Sequence, residues 1–153
     1  MQQRTFVTAA MLIGALALVA SGCGSKKKNY SASKAEYAAA VSSICAAVNA
    51  KNKKLGISSI EDIAAKGDEF LANVQEAIKK SKGLGDPPAE LKSYVDDYYA
   101  QNDKAIPLFE QMIEAAKAND AAKVQSLGAQ IGAIDDAMDV DSKAVGSTAC
   151  LSG

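Results

Sequence analysis

The sequence predicts an all-α protein: an up-down-up-down four-helix bundle joined to a short N-terminal stalk. Apolar residues recur at spacings of three and four over four successive segments, which is the period of amphipathic helices. Residues that begin or end helices bound each segment, and the connections between segments are short. Alanine is abundant and aromatic residues make up only 5% of the chain, a composition that favours closely packed helices over sheets.

Capping residues bound the first two helices. Ser33 and Glu36 form a capping box that predicts the start of the first helix, and Gly56 is suited to end it. A second box, Ser58–Glu61, predicts the start of the second helix, which runs to about Lys82. The apolar stripes contain Tyr37, Val41, Ile44, Val48 and Leu55 in the first helix, and Ile60, Ile63, Phe70, Val74 and Ile78 in the second.

The third and fourth helices are bounded in the same way. Asp86-Pro87-Pro88 predicts the start of the third, because Asp caps helices and proline is tolerated in the first turn. Pro107 lies inside this helix and should kink it, since proline cannot donate to the carbonyl four residues earlier. Asn119 is suited to a left-handed cap, Asp120 predicts the start of the fourth helix, and Gly146 predicts its end.

Short connections make consecutive helices antiparallel neighbours. The fourth helix therefore ends at the pole where the first begins, and the C-terminal tail is expected beside the first helix, within reach of Cys45. The mature chain expected after signal removal, residues 23–153, is long enough for one domain with one core.

The N-terminus has the pattern of a targeting segment. Arg4 supplies positive charge, residues 6–20 are apolar and uncharged, and Ala20-Ser21-Gly22 is a small-residue cleavage pattern ahead of Cys23. The apolar run is shorter than the roughly 20 residues that a membrane-spanning helix needs. The segment resembles a bacterial lipoprotein signal, which implies removal of residues 1–22 and a thioether bond from Cys23 to diacylglycerol. The alternatives are an uncleaved signal anchor and an ordinary secretory signal that leaves Cys23 free.

The chain is thus divided into a signal peptide at 1–22, a lipidated flexible linker at 23–32 and the helical bundle at 33–153. The linker is small and polar, and Lys26–Lys28 would add attraction to anionic headgroups. The expected location is the extracytoplasmic face of the cell membrane, which the protein contacts through its lipid anchor.

The composition excludes several functions. The chain has no histidine, and therefore no His-based general base, catalytic triad or imidazole metal ligand. Arg4 is the sole arginine and carboxylates outnumber basic residues, so nucleic-acid binding is not expected. The sequence contains no P-loop, dinucleotide fingerprint, nucleophile elbow or metalloprotease motif, and we expect no cofactor, no metal and no enzymatic activity.

The chain has three cysteines. With Cys23 assigned to lipid, Cys45 and Cys150 remain as an even pair, and an oxidising compartment favours a disulfide between them. Two free structural thiols are the alternative.

Several stretches of the mature chain carry a second resemblance. SSICAAVNA on the first helix, the central DPPAELK, the AAKANDAAKVQSL turn and the terminal TAC resemble a group of small all-helical lipoproteins and secreted proteins of actinobacteria. The likeness spans most of residues 35–150. It implies the helical fold and the Cys45–Cys150 pairing, and it implies no catalytic activity.

A small-molecule pocket is predicted beside the kinked third helix. Asn52 and Asn102 fall on the apolar faces of the first and third helices, and Tyr94, Tyr98 and Tyr99 lie close to Asn102 along the chain. Inward-facing tyrosines and amides beside a kink would line a ligand site inside the bundle. The alternative is that these groups satisfy one another at the edge of the core.

Two features of the fourth helix favour structural interpretations. Asp135 and Asp139 have a spacing that suits a cation, but the acidic stretch 134–141 lacks the order of a calcium loop and predicts a solvated face. Gly128 and Gly132 form a small-residue flank, for which packing against a neighbouring helix of the bundle is favoured over packing against another protein.

The leading functional hypothesis is a non-enzymatic lipoprotein that acts as an interaction or scaffolding module, with a protein partner at the cell envelope. The alternative is a small-molecule-binding lipoprotein that uses the pocket at the third helix. An enzyme that works through carboxylates or tyrosine ranks last.

Overall fold

The structure, a computed structural model, describes Tyr30 and residues 33–151. The predicted all-α bundle is confirmed: within these residues there are four α-helices, two short 3₁₀ helices and no strand. The helices are α1 (Lys34–Leu55), α2 (Ile60–Lys82), α3 (Lys92–Lys117) and α4 (Ala121–Val145), with 3₁₀ helices at Ala89–Leu91 and Thr148–Cys150. The signal segment 1–22, Cys23 and all of the linker except Tyr30 lie outside the described residues.

The ends of α1 and the start of α4 follow the capping predictions. The Ser33 hydroxyl accepts a hydrogen bond from the Glu36 amide at 3.3 Å, and Gly56 ends α1 with a φ of 59°. The Asp120 carboxylate accepts from the Lys123 amide at 3.0 Å, directly after Asn119 at a φ of 56°. Local chemistry alone therefore sets these boundaries.

The starts of α2 and α3 differ from prediction. Ser59, not Ser58, caps α2 and accepts from the Asp62 amide at 3.1 Å. Asp86 does not cap α3. Asp86 and Pro87 each precede a proline, which disfavours helical geometry at both residues. The chain is still extended at Pro88 (φ −50°, ψ 144°), and a 3₁₀ turn then leads into α3.

Pro107 lies inside α3, and the helix continues on both sides of it. A proline cannot donate to the carbonyl of Asp103, so one helical hydrogen bond is missing at this point. The kink that we expect from this loss stays a prediction.

The helices pack unevenly around α3. This helix contacts α4 most extensively and α2 next, while α1 packs on α2 and on the C-terminal 3₁₀ helix. Close backbone approaches between α1 and α4 are sparse by comparison among the described residues. The bundle is therefore least tightly closed on its α1–α4 side.

The buried core has two parts. The proximal core, at the end of the bundle where α1 begins, contains Tyr37, Leu91, Val95 and Val145. The distal core, at the opposite end, contains Ala115, Ala116, Val124 and Leu127. Tyr37 is only 1% exposed, and the ring of Tyr30 packs edge-on against it at a centroid distance of 6.2 Å.

The predicted disulfide is confirmed. Cys45, near the middle of α1, is bonded to Cys150 in the C-terminal 3₁₀ helix, with 5.1 Å between the two Cα atoms. The two cysteines are 105 residues apart in the sequence. On the chain-entropy model a closed loop of that size stabilises the fold by about 4 to 5 kcal/mol.

Glycines take two different positions in the bundle. Gly67 of α2 is buried, and a Cβ atom there would lie 2.6 Å from Cγ1 of Ile113 in α3, so the two helices approach too closely for any side chain. Gly128 and Gly132 instead face open space on α4. The expectation that these two glycines pack against a neighbouring helix was wrong, because no atom of the other helices that the structure describes lies within 4 Å of the Cβ position at either residue.

Candidate functional site

A cavity of about 780 Å³ lies inside the bundle and is lined by all four helices and the C-terminal tail. At one end it is bounded by Tyr37, Val95 and Val145 of the proximal core. Towards the distal core it extends as far as Phe70 and Phe109, whose rings contact each other at a centroid distance of 5.6 Å. The cavity follows from the packing, because α1 and α4 are held apart on this side of the bundle.

Most of the wall is hydrocarbon. The branched aliphatic side chains of α1 and α2 cover one side: Val41, Ile44, Val48, Val74 and Ile78. Ile106 and Met138 contribute from α3 and α4. The α1 and α2 residues belong to the apolar stripes that predicted those helices, so residues expected to fill the core instead surround a space. Such a wall suits the apolar part of a ligand.

Three of the four predicted pocket residues line this cavity. Tyr98 and Asn102 of α3 and Asn52 of α1 all contribute to the wall. Tyr94 does not: its side chain is 40% exposed, and the prediction for it was wrong. Tyr94 lies in the first turn of α3, one turn before Tyr98, and is not among the residues that line the cavity.

The two amides already make hydrogen bonds within the protein. Asn102 Nδ2 donates to the carbonyl of Tyr98 at 2.8 Å, and Asn52 Oδ1 accepts from Asn73 Nδ2 at 3.0 Å. Burial raises the pKa of the Tyr98 hydroxyl, against the opposing effect of its hydrogen bond with Asn102. Of the polar groups expected to satisfy one another, Asn102 and Tyr98 do so, whereas Asn52 pairs with Asn73, which the sequence analysis did not single out.

The C-terminal tail closes part of the α1–α4 gap. Ser147, Cys150 and Leu151 all line the cavity. Besides the disulfide, two hydrogen bonds hold this tail to α1: Ser42 Oγ to Ser147 Oγ at 2.9 Å, and Asn49 Nδ2 to the carbonyl of Ala149 at 2.8 Å. The disulfide thus has a local consequence that the cysteine pattern did not predict, since it fixes one wall of the cavity.

The α4 side of the cavity is acidic. Asp135, Asp139 and Asp141 line it, and Lys53 is the one cationic side chain among the lining residues. The prediction that this acidic stretch is a solvated face was wrong for Asp141, which is buried, whereas Asp135 and Asp139 are half-buried. Asp136 of the same stretch is exposed.

Burial raises the pKa of two of these carboxyl groups. It raises the pKa of Asp135, with further contributions from the negative charges of Asp139 and Asp136. It also raises the pKa of Asp141, which is only 8% exposed and lies near the negative charge of Asp97. In both cases the protein environment disfavours the ionised form. Within the described residues, no group of three or more potential ligand side chains is arranged to hold a metal ion.

Ser142 adds a polar group that sequence reasoning missed. The residue is 3% exposed and lines the cavity, and its Oγ has no hydrogen-bond partner among the described residues. A buried hydroxyl in a helix commonly donates to a carbonyl of the preceding turn, and this one does not. In the fourth helix apolar residues recur at helical spacing, with a gap before the last of them: Val124, Leu127, Ile131, Ile134, Met138 and Val145. This gap between Met138 and Val145 is the signal that could have identified Asp141 and Ser142 as polar residues on an inward face.

Comparisons of the chain with protein-family models, with curated proteins and with solved structures gave no match. Among the helices that the structure describes, none combines the length and the hydrophobicity needed to cross a bilayer.

Proposed function

We propose that this protein is a membrane-anchored, extracytoplasmic binding protein that holds a small, largely apolar molecule inside its helical bundle. The observation that supports this proposal is the cavity of about 780 Å³ with a mostly hydrocarbon wall. The cavity favours the small-molecule hypothesis over the interaction or scaffolding hypothesis, and the latter stays a prediction.

The size and the lining of the cavity both support ligand binding. Ligand pockets commonly enclose about 300 to 1,000 Å³ and combine apolar walls with a few polar groups. Protein interiors otherwise pack as densely as organic crystals, and side chains around a void lose dispersion contacts. A bundle of this size sacrifices stability by leaving such a space, and a bound apolar molecule would restore the missing contacts.

The chemistry of the chain supports binding rather than catalysis. The protein has no histidine, and the wall offers tyrosine, amide, hydroxyl and carboxylate groups without an evident nucleophile and base pair. The lipid anchor proposed for Cys23 would keep the cavity close to the membrane surface, where apolar molecules concentrate. We therefore propose a non-enzymatic carrier or presenter of an apolar solute at that surface.

Filling the cavity tests this function. Ala77 of α2 lines the cavity, so Ala77→Phe should occupy it without disturbing the helix surface. Ala72, on the same helix and exposed, provides the control variant Ala72→Phe. The full lipidated chain, in nanodiscs, would be heated with and without decanol as a neutral apolar probe, with the melting temperature followed by circular dichroism.

A ligand that binds only the folded state raises its melting temperature. We expect decanol to raise the melting temperature of the wild type and of Ala72→Phe, and to leave Ala77→Phe unchanged. Equal shifts in all three proteins, or no shift in the wild type, would contradict the proposal.

A further inference from the structure

The polar groups of the cavity are distributed unevenly. Lys53 is an exposed residue of α1, whereas Asp135, Asp139 and Asp141 project into the cavity from two successive turns of α4. Decanol-like ligands need no charge at all, so the burial of a carboxylate such as Asp141 in the wall of an apolar cavity requires a separate explanation.

Asp141 is the clearest case. The residue is 8% exposed, and none of the ion pairs between described residues includes Asp141 or Asp135. A buried carboxylate normally lies beside a cation or accepts several hydrogen bonds, because removing its charge from water is costly. The charge that acts on the pKa of Asp141 is instead that of another carboxylate, Asp97, which raises it.

Ser142 gives an independent observation at the same place. Its hydroxyl is buried in the cavity wall, one residue after Asp141, and has no partner within the described protein. An unsatisfied hydroxyl beside an unpaired carboxylate indicates that both groups face something that the chain itself does not supply. A species that donates several hydrogen bonds and carries positive charge would satisfy both.

We propose that the cavity selects amphiphiles with a protonated amine head group, which Asp141 and Ser142 bind, while the hydrocarbon part lies among the aliphatic side chains. This inference rests on the proposed binding function and specifies its ligand class.

A primary ammonium group fits the available acceptors. It has three N–H donors, which match the carboxylate oxygens and the Ser142 hydroxyl, and charge-assisted hydrogen bonds of this kind are stronger than neutral ones. An anionic amphiphile such as a fatty acid would instead bring a negative charge against the α4 carboxylates, and like charges at a binding site oppose association. The same wall therefore favours one head group and rejects the other.

Three probes with the same chain length test this selectivity. Decylammonium, decanol and decanoate differ only in head group and charge at pH 7. Each would be titrated, below its micelle concentration, into the full chain in nanodiscs, with empty nanodiscs as the blank for partitioning into the bilayer. Native mass spectrometry would count the molecules bound to the protein.

Two variants probe the proposed contacts, and one serves as a control. Asp141→Asn and Ser142→Ala remove the two proposed partners of the ammonium group. Asp136→Asn removes one charge from the same helix at an exposed position that does not line the cavity. Comparing this control with Asp141→Asn distinguishes long-range attraction between the ammonium group and α4 from direct contact of the ammonium group with the cavity wall.

We expect the wild type to bind decylammonium about tenfold more tightly than decanol, and decanoate most weakly. Asp141→Asn should abolish the preference for decylammonium while decanol binding persists, which also shows that this variant is folded. Ser142→Ala should weaken decylammonium alone, and Asp136→Asn should retain the full preference.

The outcomes separate this inference from the function on which it rests. Binding of all three probes with equal affinity, or a preference for decanoate, would overturn the amine selectivity and leave the binding function standing. A preference that survives in Asp141→Asn would overturn the assigned contacts. Failure of every probe to bind the wild type would overturn the proposed function itself.

Discussion

Cys150 is bonded to Cys45 on the side of the bundle where α1 and α4 are least in contact. The bond fixes the C-terminal 3₁₀ helix against α1, and Ser147 and Leu151 thereby become part of the cavity wall. The same covalent bond thus stabilises the fold and completes the proposed binding site.

The double variant Cys45→Ser/Cys150→Ser should lose both the stabilisation of the fold and the closure of the cavity wall. We expect the free energy of unfolding to fall by about 2 to 5 kcal/mol, as is common when a native disulfide is removed from a small extracellular domain. Chemical denaturation would measure this loss. Decanol binding should weaken as well, because the released tail no longer closes the cavity; unchanged binding would show that the tail is not a functional wall.

Gly67 and Gly128 should respond in opposite directions to the same substitution. Gly67→Ala places a methyl group 2.6 Å from Ile113 Cγ1, and we expect overpacking to cost about 1 to 3 kcal/mol. Gly128→Ala adds its methyl group in open space and should stabilise the protein by up to about 1 kcal/mol through helix propensity. Denaturant titration of both variants measures the contrast, and destabilisation by Gly128→Ala would contradict the described packing of α4.

Asp141→Asn should stabilise the protein in the absence of ligand. Burial and the charge of Asp97 raise the pKa of Asp141 in the folded state, so ionisation of this carboxyl group opposes folding at neutral pH. Removing the buried charge should raise the free energy of unfolding at pH 7, on the order of 1 kcal/mol as for other unsatisfied buried groups.

This gain should depend on pH in a defined direction. As the pH falls through the raised pKa and then the ordinary aspartate range, the wild-type carboxyl group becomes protonated and the destabilisation disappears. Melting temperatures of the two proteins should therefore converge in acid. A variant less stable than the wild type at pH 7 would show that Asp141 has a structural partner.

The contribution of Asp62 to stability should depend on pH in the opposite direction. Hydrogen bonds from Lys66 and from the amide and hydroxyl of Ser58 lower the pKa of Asp62 to about 2. A depressed pKa stabilises the folded state above the ordinary aspartate range, and this contribution is lost as the pH falls through about 2. Asp62→Asn should therefore lower the melting temperature at pH 7, and its difference from the wild type should vanish near pH 2.

The order of the helices and most of their boundaries, though not the starts of α2 and α3, could be predicted because local chemistry determines them. Gly56, Asp120 and Gly146 each end or begin a helix through contacts within a few residues. The second helix start was placed one residue early because both Ser58 and Ser59 precede an acid by three positions. Sequence spacing does not show which of the two serines caps the helix. In the structure Ser59 is the cap.

The cavity could be predicted only in part. Tyr98, Asn102 and Asn52 were identified because amides and tyrosines on apolar helical faces are unusual in a simple core. The size of the space depends on how far α1 lies from α4, which long-range packing and the disulfide determine. The inward position of Asp141 was missed because acidic runs usually lie on the surface.

The most direct test is the mass of the full protein taken gently from its own membranes, recorded first under native and then under denaturing conditions. The denatured mass reports the diacylglycerol expected on Cys23 and the disulfide. If the protein is a carrier, the native spectrum should show one additional apolar molecule per chain, which Ala77→Phe should lose and Ala72→Phe should keep. A native mass equal to that of the lipidated chain alone, in every preparation, would contradict the proposed binding function.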